Sequence, residues 1–327
     1  MEAKQNIVER LRSGDRRAVA RLITWAEAGD PRFARALSMF YPSIGNSWRV
    51  GVTGPPGAGK STLVNELAIA HRTAEKTVGI LAVDPSSPFT GGALLGDRIR
   101  MEDRTSDPGV FIRSMASRDS HGGLARAAID ACDVMDAYGF DEVIVETVGV
   151  GQAEYDVVSA ADTVLVVLCP GAGDSIQAMK SGLLEVADVL VVNKSDVPGA
   201  DRLIVDLEEA VELRNYGPDA DWTVPVVACS AGRGQGIDLV LAAVESHRAH
   251  LSAGRLQARR SRMREGQVRR LVYEGLESEL WHGHGLAERA AEALESGAAP
   301  YDVAAELLAE VVGRLPGAGA TRTGSVS

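Results

Sequence analysis

The chain reads as an α/β protein, a mostly parallel central sheet flanked by helices with helical extensions at both ends. Three features predict this. Short apolar runs alternate with helical spacing from residue 48 to about 250. Two of the runs, Val164-Leu165-Val166-Val167-Leu168 and Val189-Leu190-Val191-Val192, are apolar without a break, as strands buried on both faces require. After about residue 252 the strand signal stops and helical spacing continues alone.

Residues 1–45 carry helical spacing, with Ile7, Val8 and Leu11 followed by Val19, Leu22 and Ile23, and Pro31 near the start of a third segment. Strands are expected at 48–53, 78–83, 110–113, 142–146, 163–168, 187–192 and 224–228. Helices are expected at 61–72, 122–138, 175–184, 201–213 and 236–250. Helical patterns then run through Trp281 and resume at 286–296 and 301–313. The expected division is a helical extension (1–45), a nucleotide domain (46–251), a helical arm (252–315) and a polar, disordered tail (316–327). Seven arginines fall between Arg255 and Arg270; such a run suits a solvated helix face or, more sharply, a partner or dimer surface.

A chain of 327 residues that is 45% hydrophobic can bury a full core. Its formal charge of −11 opposes nonspecific attachment to nucleic acid or anionic membrane, both of which reward a basic surface. Cys132, Cys169 and Cys229 stand far apart, a spacing that encodes neither a disulfide framework nor a zinc site and suits a reducing cytoplasm. No apolar run approaches membrane-span length, and the first ten residues carry acids and no signal-like apolar core. His282 and His284 flank Gly283 without further ligands nearby and read as a loop.

Between the first strand and the first helix of the nucleotide domain, Gly54-Pro55-Pro56-Gly57-Ala58-Gly59-Lys60-Ser61 meets every fixed position of the phosphate loop G-x-x-x-x-G-K-[ST], and Thr62 continues into the helix. Glycines let successive backbone N–H groups turn toward a β-phosphate and the helix N-terminus adds partial positive charge. Lys60 reaches the β/γ oxygens, and the Ser61 hydroxyl holds Mg²⁺. After the strand at 187–192, Asn193-Lys194-Ser195-Asp196 fits the guanine motif N-K-x-D: one carboxylate accepts from guanine N1–H and the 2-amino group together, a donor pair adenine lacks. Ser230-Ala231 after the strand at 224–228 suits the turn that backs a guanine ring. Glu146-Thr147-Val148-Gly149 stands where a D-x-x-G switch is expected, glutamate replacing aspartate; Glu146 is a metal-holding acid and the Gly149 N–H a γ-phosphate contact. Val150 follows where small GTPases place a water-orienting glutamine, so slow intrinsic hydrolysis is expected unless Gln152, another side chain or a partner positions the water. Asp84 and Asp97, in the stretch between phosphate loop and switch, are further candidates around the metal.

Taken together, GPPGAGKST, VDPSSPFTGGALLGDRIRM, ETVGVGQAE, the run Gly173-Asp174-Ser175-Ile176-Gln177-Ala178-Met179-Lys180-Ser181-Gly182-Leu183-Leu184-Glu185, and NKSD resemble the MeaB/ArgK family of P-loop GTPases, over most of residues 5 to 315. The resemblance implies a homodimeric, GTP- and Mg²⁺-dependent chaperone of an adenosylcobalamin-dependent acyl-CoA mutase, chiefly methylmalonyl-CoA mutase, which gates cofactor loading and protects or rescues the mutase. A cobalamin adenosyltransferase is a candidate third member of that complex. The resemblance also puts Lys60 and Ser61 on phosphate and metal, places Asp84, Asp97 and Glu146 around Mg²⁺, and marks residues 173–185 as a third switch with Lys180 swinging toward the nucleotide. The helical C-terminus matches the family's dimerisation arm. Two competing readings are a kinase acting on a transport protein, which sits poorly with a guanine motif, and a nickel metallochaperone GTPase, which calls for His- or Cys-rich segments that the chain lacks.

Overall fold

A computed structural model describes residues 6–84, 107–116, 121–147, 161–171, 183–214, 221–251 and 253–314. It divides into two compact units, 1–263 and 264–327. The first is built on a seven-stranded sheet in the order β3-β2-β4-β1-β5-β6-β7, the strands being β1 (Trp48–Thr53), β2 (Val78–Asp84), β3 (Val110–Ala116), β4 (Glu142–Thr147), β5 (Thr163–Leu168), β6 (Val189–Val192) and β7 (Val226–Ala228). Every pairing is parallel. β1, β4, β5 and β6 are buried along their whole length, which is why β5 and β6 read as unbroken apolar runs and why the charged residues of β1 and β4, Arg49, Glu142 and Glu146, are buried too. Parallel neighbours need crossovers, so all strand ends that follow the buried runs lie on one edge, where open α/β sheets bind ligands.

The strand expectations hold to within a few residues: β6 begins two residues later than the 187–192 expectation and β7 two later than 224–228. Asp188, whose carboxylate accepts from the Val164 N–H, and Pro225, which has no N–H to give, stand just before the first paired residues. The helix expected at 175–184 lies mostly outside the described residues; among those described, the segment contributes α6 (Leu183–Val186).

Three amphipathic helices precede the sheet: α1 (Ile7–Arg12), α2 (Arg16–Glu27) and α3 (Pro31–Phe40). Asn6, Asp15 and Asp30 cap them, each side-chain oxygen accepting from the backbone N–H two residues on, and Pro31 opens α3 where its missing N–H costs nothing. Their apolar stripe, including Leu11, Leu22, Ile23 and Phe40, packs with α5 (His121–Tyr138) and one sheet face into a single cluster. On the other face α4 (Lys60–Thr73) and α8 (Ile237–His250) pack against Trp48, Val50 and Val52. Toward the β7 edge α7 (Ala200–Arg214) covers Val164, Val166 and Leu190.

The second unit begins within a long helix, Ala253–Ser278, and continues through a π-turn (Glu279–Gly283) to helices Leu286–Glu295 and Pro300–Arg314. Leu286, Ala290, Val303 and Leu307 form its small core. Val268, Leu271, Val272 and Leu276, spaced i, i+3, i+4 and i+8, are an exposed apolar stripe. No described helix is long and apolar enough to cross a membrane.

Candidate functional site

The phosphate loop leaves β1 and delivers the chain into α4. Gly54 adopts φ 140°, and a Cβ there would lie 2.0 Å from the Val167 carbonyl oxygen; Gly59, at φ 88°, would place one 2.4 Å from Asn193 Nδ2. Only glycine fits either position. Lys60, Ser61 and Thr62 form the first turn of α4, which no side chain caps, so its backbone donors and dipole face the loop. Lys60 is buried, and its Nζ donates to the carbonyls of Gly54 at 2.8 Å and Pro55 at 3.1 Å.

Two further strand ends join this loop. Glu146, near the end of β4, is buried and accepts from the Ser61 hydroxyl at 2.5 Å. Asn193, directly after β6, is a bridge: its Nδ2 donates to the Ala58 carbonyl at 2.8 Å while its Oδ1 accepts from the Ala231 N–H at 3.0 Å, tying the phosphate loop to the turn after β7. Lys194 takes a left-handed backbone, φ 56°, and its Nζ donates to the Gly57 carbonyl at 2.8 Å. That reversal presents Asp196 to Ser230, whose hydroxyl donates to Oδ1 at 2.5 Å, and to Arg233, 3.0 Å from Oδ2. The Ser230 hydroxyl foremost, helped by the Arg233 charge, holds the Asp196 carboxyl below its ordinary range and so ionised at neutral pH. Cys229 beneath this turn is inert, since burial pushes its thiol up to about 11.

The residues read from the motifs therefore meet at one sheet edge: Gly54 through Thr62, Glu146, Asn193, Lys194, Asp196, Ser230 and Ala231. Asp84 closes β2 at the same edge. The Asp84 side chain, Asp97, Gly149, Val150, Gln152 and Lys180 lie outside the described residues. Sequence reasoning gives no signal for Arg233, which sits two residues past the Ser-Ala turn and has no motif of its own. His282 and His284 stand in and just after the π-turn, with His284 Nε2 3.7 Å from Glu279.

A phosphate loop, an acid on the adjacent strand beside its serine, and an N-K-x-D loop hydrogen-bonded to it define a P-loop nucleotide hydrolase of the guanine-binding kind. Comparison with known proteins narrows this. A family model, methylmalonyl Co-A mutase-associated GTPase MeaB, matches residues 19–284. A putative GTPase of Pyrococcus abyssi is 45% identical over 94% of this chain and 96% of its own length, and the GTPase ArgK of Escherichia coli is 36% identical over 84% of this chain and 85% of its own. A crystal structure of an LAO/AO transport system kinase superposes with a TM-score of 0.71 at 30% identity, covering 93% of this chain and 96% of that one. The chain belongs to the MeaB family of P-loop GTPases: it binds guanine nucleotide and hydrolyses GTP.

Proposed function

We propose that this GTPase is a chaperone that gates adenosylcobalamin loading into an acyl-CoA mutase, most simply methylmalonyl-CoA mutase, and protects or reactivates that enzyme. The observation that carries the reading is the match to a family described by its association with that mutase, over residues 19–284, in a chain whose base and phosphate elements form one hydrogen-bonded network through Asn193. Such a network lets a change at the phosphates travel outward, which a chaperone timed by hydrolysis needs.

In the reaction, Asp196 accepts from guanine N1–H and the 2-amino group, with Ser230 and Ala231 behind the ring. The Lys60 ammonium exchanges its two carbonyl partners for β- and γ-phosphate oxygens, and the first-turn N–H groups of α4 hold the phosphates in line. The Ser61 hydroxyl and Glu146 carboxylate, 2.5 Å apart, are hard oxygen donors beside the loop and fit Mg²⁺. Bound there, with Asp84 and Asp97 as further candidates, Mg²⁺ neutralises charge on the phosphates. The Gly149 N–H is the proposed γ-phosphate contact. Val150 leaves the attacking water without a side chain to orient it, so hydrolysis is slow until a partner acts. Lys180, in the proposed third switch, moves toward the phosphates and reports nucleotide state to the mutase. A homodimer is supported by the stripe Val268, Leu271, Val272 and Leu276, whose side chains are exposed in a single copy. A cobalamin adenosyltransferase is a further proposed partner, and the cytoplasm the proposed compartment.

Two measurements test this. Calorimetry should show GDP and GTP binding far more tightly than ADP and ATP, and Asp196→Asn should move the preference toward xanthine nucleotides. Equal binding of adenine nucleotides would instead favour a kinase like the one named for the structurally similar protein. Hydrolysis measured with and without methylmalonyl-CoA mutase should rise with the mutase in wild type and not in Lys180→Ala; no rise and no complex by gel filtration in wild type rejects this partner.

A further inference from the structure

Asp196 does not stand free. Ser230 Oγ sits 2.5 Å from one carboxylate oxygen and Arg233 Nη2 3.0 Å from the other. The two partners differ in mobility. Ser230 is 3% exposed and its backbone is locked, its N–H donating to Gln235 O at 2.9 Å and its carbonyl accepting from Gln235 N–H at 3.2 Å. The same carbonyl accepts from the Arg233 N–H at 2.9 Å, closing a tight turn whose exit glycine, Gly236, would place a Cβ 2.6 Å from Ala228 O. Arg233 thus has a fixed backbone, yet its side chain is 62% exposed and has room to swing into solvent.

We propose that Arg233 gates guanine binding by competing with the base for Asp196. Guanine presents two donors, N1–H and the 2-amino group, and needs both carboxylate oxygens. Ser230 shares its oxygen, since a carboxylate oxygen accepts two hydrogen bonds. The guanidinium holds the other through a charged contact at 3.0 Å, and its planar fork takes up the space beside that oxygen, so it has to swing away for the 2-amino group to bind. Hypoxanthine keeps N1–H and lacks the 2-amino group, so an inosine nucleotide leaves that oxygen to Arg233. The side chain therefore weakens guanine binding and leaves hypoxanthine binding nearly untouched. This narrows the discrimination between the two bases while holding the recognition carboxylate oriented. The inference rests on the proposed reading of Asp196 as the guanine-binding carboxylate.

The test is titration of wild type and Arg233→Ala with GDP, IDP and ADP. Exposed ion pairs are weak, so GDP should bind about two- to fivefold more tightly to Arg233→Ala. IDP affinity should stay about the same, and the GDP-to-IDP preference should rise by the factor by which GDP tightened. The GDP difference between the proteins should shrink near 1 M salt, where the Debye length is about 3 Å. GDP affinity that is unchanged or weaker in the variant, or GDP and IDP moving together, overturns the gate. The ADP arm separates the two ideas: wild type binding ADP as well as GDP defeats the reading of Asp196 itself, whereas strong preference for GDP with no effect of Arg233→Ala defeats only the gate.

Discussion

The two ends of the strands treat their charged groups differently: one rests its lysines on neutral carbonyls, and the other buries arginine and acids together. At the edge where the strands end, cations rest on backbone carbonyls: Lys60 on Gly54 and Pro55, Lys194 on Gly57. At the edge where they begin, charge meets charge. Arg49, 4% exposed, pairs with Asp133 at 2.7 Å and Asp136 at 3.0 Å; Asp136 also accepts from the N–H groups of Gly45, Asn46 and Ser47. Asp162 accepts from the Arg49 N–H and from Arg260, and Asp188 from Val164 N–H and from Arg259. A carbonyl partner is neutral and easily exchanged for phosphate, whereas a buried carboxylate left by its cation pays a large desolvation cost. The first edge is built to change partners, and the second to keep them.

The comparison breaks most clearly at Arg49. Arg49→Ala leaves two fully buried carboxylates facing each other, and loss of one partner from such a pair costs about 3–5 kcal/mol. Chemical denaturation should show that loss, while GTP hydrolysis per folded molecule stays near wild type. Lys60→Ala should do the reverse. Removing a group that stabilises charge in the transition state lowers kcat about 10²–10³-fold, and the midpoint of thermal unfolding should move little because the carbonyls left behind are neutral and carry no buried charge. If both variants lost stability and activity together, the two edges would not be functionally distinct.

Mild acid probes the edge where the strands begin. Burial first, then the charges of Lys76 and Arg248, bring His71 down to about 4 against the opposing pull of Glu245. His247 is lowered too, by burial first, with Arg259 and His250 adding to it and Asp188 and Asp162 opposing. Each histidine is therefore harder to protonate in the folded chain than in the unfolded one, so stability is full above about pH 6.5 and falls as pH drops through that value. At pH 5.5, one unit below the unfolded value, the loss from His71 is on the order of 1 kcal/mol, with a further contribution from His247 in the same direction. Urea denaturation at pH 7.5 and 5.5 should show it, and His71→Phe should reduce it; an identical pH response in that variant would place the titration elsewhere.

How much of this was legible depends on how far each feature reaches along the chain. The buried strands at 164–168 and 189–192 were visible because four or five apolar residues in a row state their own environment, and the phosphate loop and Asn193–Asp196 because each motif is complete within eight residues or fewer. The Arg49 cluster was not. Its acids lie 84 and 87 residues away, with Asp133 and Asp136 on a helix whose spacing looks merely amphipathic. The arginines from Arg255 to Arg270 were visible as a run, but the readings as solvated face or partner surface miss the roles of Arg259 and Arg260, while Arg255 is itself 51% exposed. Arg255 pairs with Asp221 at 3.0 Å, Arg259 with Asp188, and Arg260 with Asp162 and the carbonyls of Gly45 and Ser47. Those residues fasten the start of the Ala253–Ser278 helix to the strand-beginning edge of its own unit, a role that only tertiary proximity reveals.

The smallest effect and the finest test concerns Arg259. Its two N–H groups meet Asp188 at 3.1 and 2.7 Å, with the arginine 23% and the aspartate 14% exposed. A pair between surface and core is worth about 1 kcal/mol, so Arg259→Gln should lower the unfolding free energy by about that much at pH 7.5. His247 Nε2 lies 3.4 Å from the same carboxylate, and its Nδ1 2.9 Å from Thr163 Oγ1, which accepts from Trp48 Nε1. With Arg259 gone, one cation that opposes protonation of His247 is lost and Asp188 is left to attract the proton. The folded-state value for His247 then rises toward 6.5, the difference in bound protons between unfolded and folded chains shrinks, and acid costs the variant less than wild type. The wild-type advantage seen at pH 7.5 should therefore narrow at pH 5.5. A gap that stays constant or widens would mean that Arg259 only fastens the helix and does not set the charge state of the histidine beneath it.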